Sequence, residues 1–338
     1  MNASGERGQP DPQPGDGRRR KRERSGPRSY AGVPVIHRAH WKWLVIVYFF
    51  LGGISGGAQA IAVVASLVGG RKAKPVVRTA RYVSFAAFLA CPPLLILDLG
   101  RPERFLNMLR VFKLRSPMSI GTWCLVLFGG AATATVALQA DADGLLPPAV
   151  RPVTRLLPSR LLDVAAGGLG LLLAGYTGVL LGATAVPLWA RRSVLLGPLF
   201  LASALSTATA AVALVRSATS RRHDGRLARF EQIAGVAEAA LLLAWLTGLR
   251  RSGKPLHEGR HGKTIRHGVA GAGLAAPLVL NAAAASFPRH ARPISVLATL
   301  LTLAGGFLLR YLVIVAGHAS ADDPEATFEM TRRKGSPR

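Results

Sequence analysis

The 338-residue chain is half apolar, yet it carries 43 Lys and Arg against 17 Asp and Glu, for a formal net charge of +26. High apolarity and strong positive charge conflict within one soluble domain, but they fit membrane helices joined by basic loops. Nucleic-acid binding would suit the charge. It is set aside because the basic residues are confined to gaps between apolar runs of membrane-spanning length.

Residues 1–40 read as a disordered basic tail, with Arg18-Arg19-Arg20-Lys21-Arg22-Glu23-Arg24 and no apolar periodicity. The first apolar run is long and lacks a small-residue cleavage site, which argues against a signal peptide. The double arginines stand too far from an apolar core for a twin-arginine signal. Membrane lipid of anionic character is the expected partner of this tail.

Eight candidate spans follow, at 43–68, 82–98, 119–139, 161–186, 194–215, 231–249, 267–287 and 294–316. They predict an all-α polytopic membrane protein with a polar C-terminal tail at 319–338. Runs such as Gly52-Gly53-Ile54-Ser55-Gly56-Gly57 let helix backbones approach closely, which is how helices associate in lipid. The seventh span is unusual, being rich in Ala and Gly with Pro277 and Asn281 inside it. With eight spans, the side holding both termini carries 27 of the 43 Lys and Arg and the other side carries 15, with Arg310 inside the last span. The bias predicts a cell-membrane protein with both termini in the cytoplasm.

Between the second and third spans lies a charged, proline-bounded loop. Asp98-Leu99-Gly100-Arg101-Pro102-Glu103-Arg104-Phe105-Leu106 runs on to Ser116-Pro117-Met118-Ser119-Ile120-Gly121-Thr122-Trp123. Its charge adds nothing to the solubility of a membrane protein, so the loop is a candidate docking surface or reaction site. Asp98 is either a proton-handling group or an interfacial carboxylate paired with Arg101 or Arg104. Glu238 lies deep in the sixth span and needs a partner or a proton. It is a candidate for proton transfer or for a structural hydrogen bond. Arg310 either snorkels or pairs with a carboxylate. Gln59 and Asn281 are expected to hydrogen-bond between helices.

Tyr48 and Tyr176 each combine a ring with a hydroxyl, a pairing that suits a quinone head group but also suits an interfacial aromatic belt. Trp41, Trp43 and Trp189 are expected in that belt. All eight histidines lie in loops or at span ends, so no axial pair for a buried haem is expected. His40 could accept a proton at the surface. Cys91 and Cys124 stand alone inside apolar runs without a Cys-x-x-Cys, so neither an iron–sulfur cluster nor a zinc site is expected in this chain.

These residues resemble the NrfD/PsrC family, the membrane subunits of polysulfide-reductase-like complexes. The likeness is carried by Tyr48-Phe49-Phe50-Leu51-Gly52-Gly53-Ile54-Ser55-Gly56-Gly57, by Asp98-Leu99-Gly100-Arg101-Pro102, and by Ser116-Pro117-Met118-Ser119 with Gly121 and Trp123. Gly175-Tyr176-Thr177-Gly178, Pro187-Leu188-Trp189 and the last helix, with Gly305-Gly306 and Leu309-Arg310-Tyr311, extend it over about residues 40–318. The resemblance implies two four-helix bundles, here 41–190 and 191–318, and a site for quinone or quinol (menaquinone or ubiquinone) in the first. It implies a four-cluster ferredoxin-like iron–sulfur partner that connects to a separate, molybdopterin-type catalytic subunit.

Carried over, the family's quinone-site tyrosine falls on Tyr176 and its first-helix position on Tyr48, while Val45 stands where some members have an asparagine. Asp98, Arg101 and His40 complete the expected quinone-binding set, and Asp98, Glu238 and Arg310 the proton-transfer set. Arg104, Arg110, Lys113 and Arg115 form the expected docking surface. Well-known members dock their soluble partners outside the cytoplasm, so resemblance and charge bias point to opposite sides. The rival readings are a secondary transporter coupled through Asp98, Glu238 and Arg310, and an anchor without quinone chemistry.

Overall fold

The computed structural model describes residues 41–323, apart from 102, 150, 221–224, 250–252 and 288. Among the described residues there are helices and loops and no strand, and eight helices are long and apolar enough to cross a membrane. The protein is a multi-pass, all-α membrane protein.

The first span, α1 (Trp43–Val68), contains no charged residue and is the most enclosed of the eight. The second, α2 (Lys74–Asp98), is the least enclosed. It starts earlier than predicted, because Arg78, Arg81 and Tyr82 are tied down by polar partners on neighbouring elements. A short α3 (Arg104–Arg110) lies in the charged loop, and α4 (Pro117–Ala142) is the third span. After α5 (Arg151–Leu156) comes the fourth span, α6 (Ser159–Gly182), then one turn, α7 (Pro187–Ala190). The fifth and sixth spans are α8 (Ser193–Thr219) and α9 (Gly225–Thr247).

The seventh crossing is composite. Two short turns, α10 (Lys254–His257) and α11 (Gly259–Lys263), lead into a π-helical stretch, Thr264–Ala275, and then α12 (Ala276–Ser286). The wider π geometry coincides with the Ala- and Gly-rich sequence that makes this span unusual. Here Gly273 lies against Gly305 of the last helix, α13 (Ala291–Ala321), so closely that neither position has room for a Cβ. Helix α13 also continues past residue 316, into the segment expected as a polar tail.

Helix α1 packs against α2, α6 and α8, and α8 packs against α6, α9 and α13. Gly56 of α1 and Gly170 of α6 meet backbone to backbone, which lets the two helices cross without an intervening side chain. A continuous apolar core runs from Tyr48 and Phe49 through Leu173 and Phe200 to Trp245 and Val313. Outside it, Leu89, Leu97, Leu127, Leu171, Leu243 and Leu300 are exposed on α2, α4, α6, α9 and α13, the surface expected to meet lipid.

Candidate functional site

The loop motif begins as a helix stop. Helix α2 ends at Asp98, the Leu99 N–H donates to the Leu95 carbonyl at 3.3 Å, and Gly100 takes φ +67°, where an L side chain would be strained. The second motif is a helix start. The Ser116 side chain accepts from the Ser119 N–H at 3.4 Å, and Pro117 occupies the first helical position, where its missing N–H costs nothing. Ser119 also accepts from the Lys113 N–H at 3.0 Å, which ties the cationic loop to the start of α4.

These caps set the helix ends around a half-open cavity of about 100 Å³. The start of α1 contributes Val45, Tyr48 and Phe49; the end of α2 contributes Leu95 and Asp98. Phe105 and Met108 from α3, Met118 and Leu125 from α4, and Tyr176 from α6 close it. The volume is of the order that one six-membered ring requires. Tyr176 donates its hydroxyl to the Pro117 carbonyl, and Gly121 leaves room for its ring. The Tyr48 ring is buried, and among the described residues no group hydrogen-bonds its hydroxyl, which leaves that hydroxyl for a ligand.

Tyr48, Asp98 and Tyr176 are thus brought together, whereas Arg101 is solvent-exposed and is not part of the lining. Arg110, Lys113 and Arg115 are exposed beside it and form a cationic surface on the same face. Of Arg104 only the backbone, at the start of α3, is described, and His40 lies outside the described residues. Val45, in place of an asparagine, gives the cavity an apolar contact at that point. The lining residues from α3 escape sequence reading, because a seven-residue helix in a charged loop carries no apolar periodicity.

Trp41 is part of the cavity wall and stacks on Trp189, ring centroids 5.1 Å apart. The aromatic belt is where sequence alone puts Trp189, and the structure corrects that. It is fully buried, its indole N–H donates to the Val313 carbonyl at 2.8 Å, and Gly317 makes room for its ring. An indole in the core needs a carbonyl acceptor, which helix α13 supplies. Trp43, by contrast, is exposed as a belt residue would be.

A second polar cluster lies deeper. Arg310 is buried, so it does not snorkel. Its guanidinium donates to the Phe49 carbonyl at 3.2 Å, the Ser203 hydroxyl at 3.0 Å and the Gly306 carbonyl at 2.8 Å, and it lies between the Phe50 and Phe200 rings. Glu238 is buried too, next to the Ser203 and Ser206 hydroxyls and within the field of Arg310. Asn281 reaches Glu231, and Gln59 donates to Thr135 at 3.0 Å, so both amides bridge helices. Glu231 escapes sequence reading because hydropathy starts the sixth span at that residue. The helix begins at Gly225, which puts Glu231 inside it, buried and accepting from Thr302 at 2.9 Å.

On the opposite membrane face, Asp143 just beyond α4 accepts from Arg78 at 2.8 Å and from Tyr82 at 2.7 Å. Partial burial opposes its charge, but hydrogen bonds from Tyr82, Gln139 and Arg78 outweigh it and lower its pKa. Among the described residues, no three His, Cys, Asp or Glu side chains gather into a group that could hold a metal ion.

Comparison with known proteins covers the same segments. The family described as "Polysulphide reductase, NrfD" matches residues 35–321. The protein belongs to the NrfD family. Curated relatives agree: it is 28% identical over 314 residues to the C subunit of the polysulfide reductase of Wolinella succinogenes, a match over 85% of this sequence and 97% of that subunit. It is 26% identical over 308 residues to "Protein NrfD homolog" of Haemophilus influenzae, a match over 82% of this sequence and 94% of the relative. The NrfD match takes in the whole cavity and both buried carboxylates.

Proposed function

We propose that this NrfD protein is the quinone-reactive membrane subunit of a respiratory oxidoreductase complex, exchanging electrons between the quinone pool and an iron–sulfur subunit. The reading is carried by one observation: an apolar cavity holding a phenol and a carboxylate opens at the membrane edge beside an exposed cationic surface. A relative named as one lettered subunit of a polysulfide reductase supports membership in a multi-subunit enzyme. The partner proposed for the cationic surface is a four-cluster ferredoxin-like subunit, connected in turn to a molybdopterin-type catalytic subunit.

The lining fits a quinone ring. Leu95, Met118 and Leu125 offer apolar contact, the Tyr48 hydroxyl has no other partner among the described residues, and Asp98 supplies a carboxylate. Quinone supplies two-electron, two-proton chemistry when bound. Tyr48 would orient the ring by a hydrogen bond to its oxygen, and the apolar walls would keep water away. Asp98, at the end of α2, is placed to take a proton from the pocket and pass it to solvent at the loop face, or the reverse. Arg110, Lys113 and Arg115 would steer and orient an acidic partner surface. Glu238 and Arg310 are the proposed interior charge pair, linked to the pocket through Phe49, which lines the cavity and whose carbonyl binds Arg310.

The excess of basic residues supports placing this face, with both termini, in the cytoplasm. Cys91 and Cys124 are buried, so a Lys113→Cys variant would report the side cleanly through an impermeant thiol reagent. The function itself is tested by purifying the intact complex and illuminating it with a photoreactive quinone analogue. An iron–sulfur subunit should co-purify, and the label should fall on α1, α4 or α6. Isolation of the protein without such a partner, or labelling confined to lipid-facing positions, would sink the reading.

A further inference from the structure

Glu231 lies between two small cavities. The outer one, about 50 Å³, opens toward the membrane face opposite the docking loop and has Arg216, Ser217 and Arg292 near its mouth. The inner one, about 10 Å³, lies between Glu231, Ser206 and Gly235. The outer space can hold a few waters and the inner about one. Asn281 is part of both walls. It is buried, its amide reaches Glu231, and its Oδ1 has no partner among the described residues, which is the signature of a site completed by water.

Glu238 follows Glu231 by two helical turns on the same face of α9, roughly 10 Å further into the membrane. The gap between them is not apolar. Ser206 faces the inner cavity, and its hydroxyl also lies next to the Glu238 carboxyl group. A hydroxyl both accepts and donates, so a water in the inner cavity would join the two carboxyl groups through a single side chain. Beyond Glu238, Ser203 and Arg310 lead to the Phe49 carbonyl. Arg310 keeps its proton throughout and serves to balance charge on Glu238.

The geometry points to a proton half-channel: Glu231 exchanges protons with the face opposite the docking loop and relays them, through one water and the Ser206 hydroxyl, to Glu238. In the inward direction a hydrated proton binds the Glu231 carboxylate. It then moves along the water and Ser206 to the Glu238 carboxylate, leaving Glu231 ionised for the next proton. The outward direction reverses each transfer. No electron moves and no co-reactant is consumed. Only the purpose of the channel rests on the proposed quinone reaction; the path itself does not.

Infrared difference spectroscopy on the intact complex tests the path without turnover. The Glu238 carboxylic-acid band, assigned by its loss in Glu238→Gln, should shift rapidly in D₂O. In Glu231→Gln that exchange should slow on the order of a hundredfold, the usual scale for losing a placed acid–base group. Ala228→Phe, which fills the outer cavity and leaves every polar group in place, should slow it likewise. Unchanged exchange at Glu238 in both variants would overturn the half-channel, as would a Glu238 that never protonates. Loss of quinol oxidation in the wild-type complex would instead count against the proposed function and leave this result standing.

Discussion

The cavity at the loop face and the carboxylate cluster in the helix interior both place acidic groups in or near lipid, yet they are built in opposite ways. Around the cavity the polar groups border empty space: Tyr48 has a hydroxyl without a partner among the described residues, and apolar side chains keep the volume open. In the interior the charged groups are wrapped by polar ones, with Arg310 bonded to Phe49, Ser203 and Gly306, and Glu238 next to the Ser203 and Ser206 hydroxyls. The first arrangement suits the ligand proposed for it. The second holds charge inside a low-dielectric region, where an unpaired ion is costly. Substitutions should therefore separate activity from stability at the cavity and join them in the interior.

The largest effect is expected at Arg310. Arg310→Leu leaves Glu238 buried without its balancing charge and should destabilise the helix bundle by about 3–5 kcal/mol. Thermal unfolding of the detergent-solubilised complex would show it, and adding Glu238→Gln should recover part of the loss. Full independence of the two substitutions would break the proposed pairing.

Next comes the proposed docking surface. Reversing Arg110, Lys113 and Arg115 to Glu should cost several kcal/mol in partner binding, since like charges would then face each other. The protein itself should melt unchanged, because all three side chains are exposed. Loss of the iron–sulfur subunit during purification, worse at low salt, is the expected observation.

Tyr48→Phe sharpens the contrast most directly. It keeps the ring and removes only the hydroxyl, so stability should be untouched while quinol binding weakens by about 1 kcal/mol, roughly fivefold. A shift in melting temperature without a change in quinol-dependent turnover would reverse the assignment of this residue from ligand to packing.

The smallest effect concerns Asp143, whose folded pKa lies below its ordinary value. A depressed carboxylate stabilises the fold above its unfolded pKa and loses that contribution as pH falls through the folded one. Asp143→Asn should thus flatten the acid side of a stability–pH profile and leave neutral activity unchanged. An unaltered acid limb would show that Arg78 and Tyr82 gain nothing from the charge.

Much of this could be read from the amino-acid order. The eight spans follow from uninterrupted apolar length, and the Asp-Leu-Gly-Arg and Ser-Pro-Met-Ser segments announce a helix end and a helix start by cap chemistry alone. Their convergence follows from parity: the ends of α2 and α6 and the starts of α1 and α4 must share a face. Glu238 is conspicuous because a carboxylate amid Ala and Leu has no local partner. Two things are hidden. A shift of six residues in the start of α9 turns Glu231 from an interfacial group into an interior one, and hydropathy cannot resolve such a shift. Trp189 carries the composition of a belt residue, and only the acceptor on α13, more than a hundred positions away in sequence, makes it core.

By itself, then, the sequence determined the number of crossings, the positions of the capped loop motifs and the presence of costly charges in the membrane. Those depend on local apolar length and on groups within one helical turn. Tertiary structure alone decided which groups those charges meet. Arg310 reaches Phe49 from 261 positions away, and Thr302 reaches Glu231 from 71. The physical reason is that in lipid the cost of an ionised side chain is local, whereas the partner that offsets it is chosen by how the helices pack.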